Sequence, residues 1–370
     1  MTAGPRASGS STTVLLGIDV GTGSTKAVAT TVSGEIVATA TKSRPSSMSL
    51  PRPGWAEMDA EQVWWADLVT LCRELGPRLT GHEIAGVAVS GLGPCLLLCD
   101  EADRPVRPAI LYGIDMRATG EIEELTARYG AQAILDRGGT ALSTQAVGPK
   151  ALWVQRHEPE AWARATRWYN ANSYLVRRLT GAYVLDHHTA SQCDPLYDLR
   201  AADWYRPWCA DVMPQMAMPE LAWPSEVVGE VTTAAAAETG LPAGTPVCVG
   251  TVDAWAEAFS AGVRQPGDLM LMYGSTMFFV QVLASLTSHP KLWTTAGVEP
   301  GSYTLAAGMA TSGSLTSWLQ QLVGDVGFAD LVTEAAAVPA GADGLVMLPY
   351  FAGERTPIFD PRARGVIAGL

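Results

Sequence analysis

The chain has 370 residues, 48% of them apolar and 17% charged, with 12 Trp, 10 Tyr and 6 Phe. At roughly 150 residues per domain this length suggests two domains, and the apolar content excludes wholesale disorder. A balance of 25 basic against 37 acidic residues, with no Lys/Arg run, gives a net charge of −12 and excludes a nucleic-acid backbone as partner. An acidic protein can still bind ATP, because backbone N–H groups, one Lys and a metal ion suffice.

Apolar runs such as Ile84–Val89 are far shorter than the ~20 residues of a membrane helix, so no membrane partner is expected. Residues 1–13 lack an apolar segment of the secretory type and read as a disordered tail. Six scattered cysteines without a C-x-x-C pair read as buried thiols in a reducing compartment, hence a cytoplasmic protein.

Val14–Val20 reads as a buried strand. Gly21-Thr22-Gly23 turns the chain into Ser24–Val32, and Ser33-Gly34 turns it into Glu35–Ala40. Two short glycine turns between three strands predict an antiparallel meander. Asp59, with Gln62 three residues on, predicts a helix cap opening the segment to Leu75. Ile84–Val89 is then a strand, followed by strands at Leu96–Leu98 and Ala109–Leu111. Residues 117 to about 225 read as helix-rich.

Pro242–Pro246 resembles a linker, which places a domain boundary near residue 246. The expected division is residues 14–246 and 247–370. Val247–Asp253 predicts a strand and Ala254–Ala261 a small-residue helix. Asp268–Tyr273 and Met277–Val282 predict strands around a Gly274-Ser275-Thr276 turn, which lies 274 − 21 = 253 positions after the first such turn. Two strand–turn–strand units suggest a duplicated fold closing over a shared cleft.

The segment Gly21–Lys26 is not a dinucleotide fingerprint, because a strand rather than a helix follows and position 26 is Lys. It is not a Walker A loop either, because no Gly precedes the Lys. Asp19, a tight turn, hydroxyls and Lys26 together suit a polyphosphate with Mg²⁺. They equally describe an ordinary hairpin whose Asp accepts turn N–H groups. Asp253, at a strand end ahead of a helix, is either an N-cap or a carboxylate base that accepts a hydroxyl proton during phosphoryl transfer. His187 and His188 read as exposed loop residues, since no third ligand lies at metal spacing. Trp64 and Trp65 read as core.

In order along the chain stand LLGIDVGTGSTK, Pro53–Asp59 with Trp64-Trp65, Gly86–Gly91, Arg107–Leu111 and Asp115-Met116-Arg117. Then follow Lys150 and Trp153 before His157–Glu160, Arg178–Gly181 before Thr189–Ser191, Gly250–Asp253, Gly274–Thr276 and Gly353–Pro357. This succession resembles the FGGY carbohydrate kinase family, particularly its xylulokinase-like members. The resemblance implies an α/β protein with the actin-like ATPase (ribonuclease-H-like) fold and two domains around a cleft. It implies Mg²⁺ organised by Asp19, with Asp253 also near the metal. A first phosphate segment would be formed by Gly21, Thr22, Gly23 and Lys26, and a second by Gly274, Ser275 and Thr276. Asp253 would be the general base, and Gly91, Leu92, Gly93 and Asp115 would face the sugar. The implied partners are ATP and a ketose or polyol, and a homodimer is an open alternative for assembly.

Three departures bear on the substrate. Leu92-Gly93-Pro94-Cys95 stands where xylulokinase-like proteins carry Gln-Met-His-Gly, so the amide and His that would bond sugar hydroxyls are missing. Ala254 replaces an Asn found in some members, and Tyr112-Gly113-Ile114 replaces a Trp-based lead-in to Asp115. Gly365–Leu370 matches only the opening of the family's second signature. The second domain is therefore expected to be incomplete, without the Gly-rich adenosine-contacting segment, and this chain is expected to bind ATP poorly. Rival readings are a non-catalytic actin-like module that binds nucleotide or sugar, or an inactive shortened kinase.

Overall fold

The structure, a computed structural model, describes residues 12–44, 48–274, 276–324, 326–351, 353–356, 358, 360 and 362–370. The tail expected at residues 1–13 lies almost wholly outside them, and Thr12 and Thr13 belong to the first strand. The chain divides into two compact units. The first comprises residues up to Gly138, Leu142–Glu257 and Val298–Pro300; the second comprises Gly139–Ala141, Ala258–Gly297 and Gly301–Leu370.

The first unit is built on a mixed seven-stranded sheet. The expected meander is its start: β1 (Thr12–Val20), β2 (Ser24–Thr31) and β3 (Ile36–Ser43) pair antiparallel in sequence order. Alternation along β1 buries Val14, Leu16, Ile18 and Val20 on one face and leaves Leu15, Gly17 and Asp19 on the other. The next helical stretch opens at Asp59, whose carboxylate accepts the N–H groups of Glu61 (2.9 Å) and Gln62 (2.8 Å). It continues as α1 (Ala66–Leu75), which lays Leu68, Leu71 and Leu75 against the meander. Trp64 and Trp65 are core residues there, as expected.

β4 (His82–Gly91) then runs parallel to β1, so that Asp19 lies opposite Ser90 and Val20 opposite Gly91. Helices follow, among them α2 (Val147–His157), α3 (Ala171–Thr180) and the single-turn α4 (His187–Ser191). His187 and His188 are not loop residues. They open α4, where Nδ1 of His187 lies 2.9 Å from the Tyr197 hydroxyl and the buried His188 packs on Trp255 with ring centroids 4.2 Å apart. Ring contacts, His187 on Trp223 and His188 on Trp255, hold both side chains against the first unit.

The boundary expected near residue 246 falls inside this sheet. β5 (Val227–Glu230) pairs antiparallel with β6 (Pro246–Cys248), and β6 and β7 (Thr251–Val252) both pair parallel with β4. The segment from 247 therefore completes the first unit, and its backbone hydrogen bonds are what hold it there. α5 (Asp253–Ser260) begins at once. The single strand expected over Val247–Asp253 is broken at Gly250, whose φ is +70°. A Cβ at Gly250 would lie 1.8 Å from the Val89 carbonyl oxygen, so only glycine lets the chain cross β4 this closely.

The second unit carries a four-stranded antiparallel sheet. β8 (Leu269–Tyr273), β9 (Met277–Leu283), β10 (Trp293–Ala296) and β11 (Tyr303–Met309) lie in the order β8-β9-β11-β10. α6 (Gly313–Leu322) and α7 (Phe328–Ala337) follow and bury no residue. Leu269, Leu271, Tyr273, Leu322, Phe328 and Val332 are exposed, an unusually apolar surface for a folded unit. All six cysteines are free and at least partly buried, in keeping with the thiol reading.

Replacing Gly250 with Ala combines a left-handed backbone penalty with a direct overlap. We expect Gly250→Ala to lower the unfolding free energy by more than about 2 kcal/mol. Denaturant titration of the purified variant checks this, and an unchanged midpoint would contradict it.

Candidate active site

Lys26, Asp19, Ser90 and Thr251 form one row across β2, β1, β4 and β7, each residue directly opposite the next. Residues paired in this way share a sheet face, so all four side chains stand on the same side. The row lies at the carboxyl ends of three parallel strands, where ligands collect in open α/β sheets. Ser90 Oγ donates to Asp19 Oδ1 at 2.8 Å and fixes that carboxylate. Asp253 follows β7 immediately, and Ala254 N–H donates to its Oδ1 at 2.8 Å.

The bond from Ala254 is to the adjacent residue, not to the second or third N–H of the helix as in an N-cap, and the surroundings of Asp253 set it further apart from an ordinary cap. Burial, with the charge of Asp19 and a smaller push from Glu257, raises its pKa to about 7, and the Ala254 N–H acts in the opposite direction. Two carboxylates within electrostatic reach, one of them holding its proton near neutrality, is the usual signature of separated acid–base roles.

The turn after Asp19 is held from behind by residues the sequence did not single out. The Arg44 guanidinium donates to the Gly21 carbonyl, to Thr25 Oγ1 and to Asp67, while Arg44 N–H donates to the Gly23 carbonyl at 2.7 Å. Asp67 is buried and also pairs with Lys42 at 2.7 Å. A buried ion pair that grips turn carbonyls keeps the Gly21–Gly23 backbone in a single conformation. Nothing in the spacing of Arg44 and Asp67 announces this, because the contact spans a loop and a helix. On the other side, Thr22 Oγ1 and the Tyr112 hydroxyl are 2.8 Å apart.

The other expected residues divide. Gly91 lies opposite Val252, and a Cβ on it would come within 3.0 Å of the Ala171 Cβ. Gly93 is as tight: its Cβ would lie 2.9 Å from Val252 Cγ2. Gly91 therefore lets the end of β4 press against α3, and Gly93 lets the loop after β4 press against β7, the strand just before Asp253. Leu92 is a correction, for its side chain is buried in the core and its N–H donates to the Val20 carbonyl at 2.9 Å.

Asp115 is also a correction. It is buried, takes Arg117 Nη2 (2.8 Å) and Nε (3.0 Å), and accepts the Ala56 N–H at 2.6 Å. Arg117 in turn pairs with Glu57 and lies over Trp55, 4.1 Å from its ring centroid. With its oxygens committed to these donors, Asp115 orders a loop instead of facing a sugar. In the second unit, Gly274 N–H donates to the Thr276 carbonyl (2.9 Å) and the Gly274 carbonyl accepts Gly313 N–H at the start of α6 (2.8 Å). Ser275 lies outside the described residues.

Family comparisons decide the class. The model for the N-terminal domain of the FGGY family of carbohydrate kinases matches residues 14–260, and that for the C-terminal domain matches 269–370. The chain belongs to the FGGY family of carbohydrate kinases. A glycerol kinase from Nocardia farcinica is 32% identical over 366 residues, covering 95% of this chain and 71% of the relative. A xylulose kinase from Escherichia coli is 31% identical over 363 residues, covering 96% and 72%. The crystal structure of xylulose kinase from Rhodospirillum rubrum superposes with a TM-score of 0.90 at 34% identity, covering 96% and 73%. The fold is thus the two-domain actin-like ATPase fold, and the protein is a phosphotransferase of the class that uses an alcohol group as acceptor. Among the described residues, no helix of this FGGY kinase is long and apolar enough to cross a membrane.

The raised pKa of Asp253 has a definite sign. The folded protein binds this proton more tightly than the unfolded chain does. The corresponding stabilisation is present at acidic pH and is lost as pH rises through about 7. In the metal-free protein we expect the Asp253 carboxyl to titrate near 7, and Asp19→Asn to lower that midpoint by removing the like charge. Carboxyl ¹³C NMR with aspartate labelling measures both. A parent midpoint near the ordinary ~3.9, or no downward shift in the variant, would contradict the assignment.

Proposed function

We propose that this FGGY kinase transfers the γ-phosphoryl group of ATP to a hydroxyl of a ketose or polyol, with Asp253 as general base. The observation that carries this reading is the approach of Asp253 to Asp19 at one edge of three parallel strands. Ionised, Asp253 accepts the proton of the attacking hydroxyl, and a proton affinity near neutrality suits that exchange. Asp19 is fixed by Ser90 and lies opposite Lys26. The turn Gly21–Gly23, gripped by Arg44, offers a stiff segment for phosphate oxygens. Gly274, Ser275 and Thr276 are proposed as a second phosphate segment on the family resemblance alone.

The two carboxylates suit Mg²⁺, a hard ion that prefers oxygen donors. Among the described residues no group of three or more His, Cys, Asp or Glu is placed to hold a metal. Phosphate oxygens and water would therefore complete the shell around Asp19 and Asp253. When bound, the ion neutralises phosphate charge. The acceptor hydroxyl would be met by the loop at Gly91 and Gly93, which lacks the amide and imidazole groups of the xylulokinase-like pattern. Relatives named for xylulose and for glycerol are almost equally similar, so we place the acceptor in the ketose and polyol class.

ADP release, measured with Mg-ATP and a panel of ketoses and polyols including D-xylulose and glycerol, tests this. We expect at least one acceptor to raise turnover, and Asp253→Ala to lower kcat by about 10²–10⁴-fold. Lack of stimulation by every acceptor, or full activity in the variant, would refute the proposal.

A further inference from the structure

Asp186 is completely buried, and its carboxylate is where three elements meet. Oδ1 accepts Thr251 Oγ1 at 2.8 Å and the Thr189 N–H at 2.8 Å, while Oδ2 accepts Asn172 Nδ2 at 3.0 Å. The bond from Thr189 caps α4. The other two bonds serve no capping purpose. Thr251 is the β7 residue in the same row as Asp19 and Ser90, two positions before Asp253. Asn172 lies in the first turn of α3, and its backbone nitrogen is 3.2 Å from where a Gly91 Cβ would sit. One buried carboxylate therefore ties the strand leading to Asp253 to the helix that backs the loop at Gly91.

A carboxylate without water is costly unless donors surround it. Burial alone pushes its proton affinity upward, and the bonds from Thr189, Thr251 and Asn172 oppose that push. These three donors hold Asp186 in place, and the same bonds make it a rigid reference point for its neighbours.

We propose that Asp186 is a positioning residue for phosphoryl transfer: through Thr251 it sets where β7 ends and so where Asp253 stands against the acceptor loop. This rests on the reading of Asp253 as the base. Displacing a reacting group by about 1 Å costs on the order of 10²-fold in rate, so loss of this anchor acts on turnover more than on affinity.

The test uses Thr251→Val, which keeps the shape and removes the hydroxyl donor, beside Thr251→Ser, which restores the donor. Both are assayed with the same acceptor panel, together with unfolding midpoints and hydrogen–deuterium exchange of the peptide spanning residues 249–256. For Thr251→Val we expect kcat to fall at least about tenfold with acceptor KM within about threefold of the parent. Exchange in that peptide should be faster by more than the lowered unfolding midpoint, itself expected from the lost donor, accounts for. Thr251→Ser should stay within about threefold of the parent in kcat and show the parent's exchange. Parent-like turnover in Thr251→Val, or equal losses in both variants, would overturn the proposal. If the parent shows no turnover with any acceptor, the kinase proposal falls and exchange alone judges the anchor. Faster exchange in Thr251→Val, reversed in Thr251→Ser, supports it; unchanged exchange in Thr251→Val overturns it.

Discussion

Parallel pairing of β4 with β1 on one side and β7 on the other is the constraint from which the site follows. Parallel strands end on the same edge of a sheet, so side chains far apart in sequence arrive there together. Asp19 and Asp253, separated by 234 positions (253 − 19), meet because β4 aligns Asp19 with Ser90 and Ser90 with Thr251. Burial and the charge of Asp19 then raise the proton affinity of Asp253. The same edge would lose this row if β7 were shifted by one residue in register against β4, since alternation would turn Thr251 to the other face.

That alignment depends on close backbone approaches and on buried charge. Gly250 lets the chain cross Val89, and Gly91 and Gly93 let the loop after β4 lie against α3 and β7. Around them, buried ionic groups hold segments that have no regular structure of their own. Arg44 with Asp67 grips the turn after Asp19, Arg117 with Asp115 and Glu57 orders the loop before residue 118, and Asp186 joins α3, α4 and β7. Buried ion pairs contribute little net stability but strongly disfavour alternative arrangements when half of the pair is displaced. They suit places where conformation matters more than total stability.

Much of this was legible beforehand. The meander, the helix capped by Asp59 and the strand at Ile84–Val89 follow from short-range pattern, because alternation and capping are local. The ordered motifs from Asp19 to Thr356 carried the family. The boundary near residue 246 did not survive, because proline and glycine mark a turn without telling which sheet the next strand joins. Leu92 and Asp115 looked like pocket residues by motif position. Their burial, and the donors already bonded to Asp115, came only with the packing around them. His187 and His188 were misplaced for the same reason.

The sequence by itself determined the α/β class, the strand–turn–strand logic and Asp19 and Asp253 as the carboxylates to consider, since these rest on residue type and short spacing. Tertiary structure alone decided that the two carboxylates share an edge, that Arg44 and Asp67 stiffen the turn, and that Asp186 anchors the strand before Asp253. Those are contacts between residues tens to hundreds of positions apart, fixed by strand register and close packing, for which a single chain of letters carries no local mark.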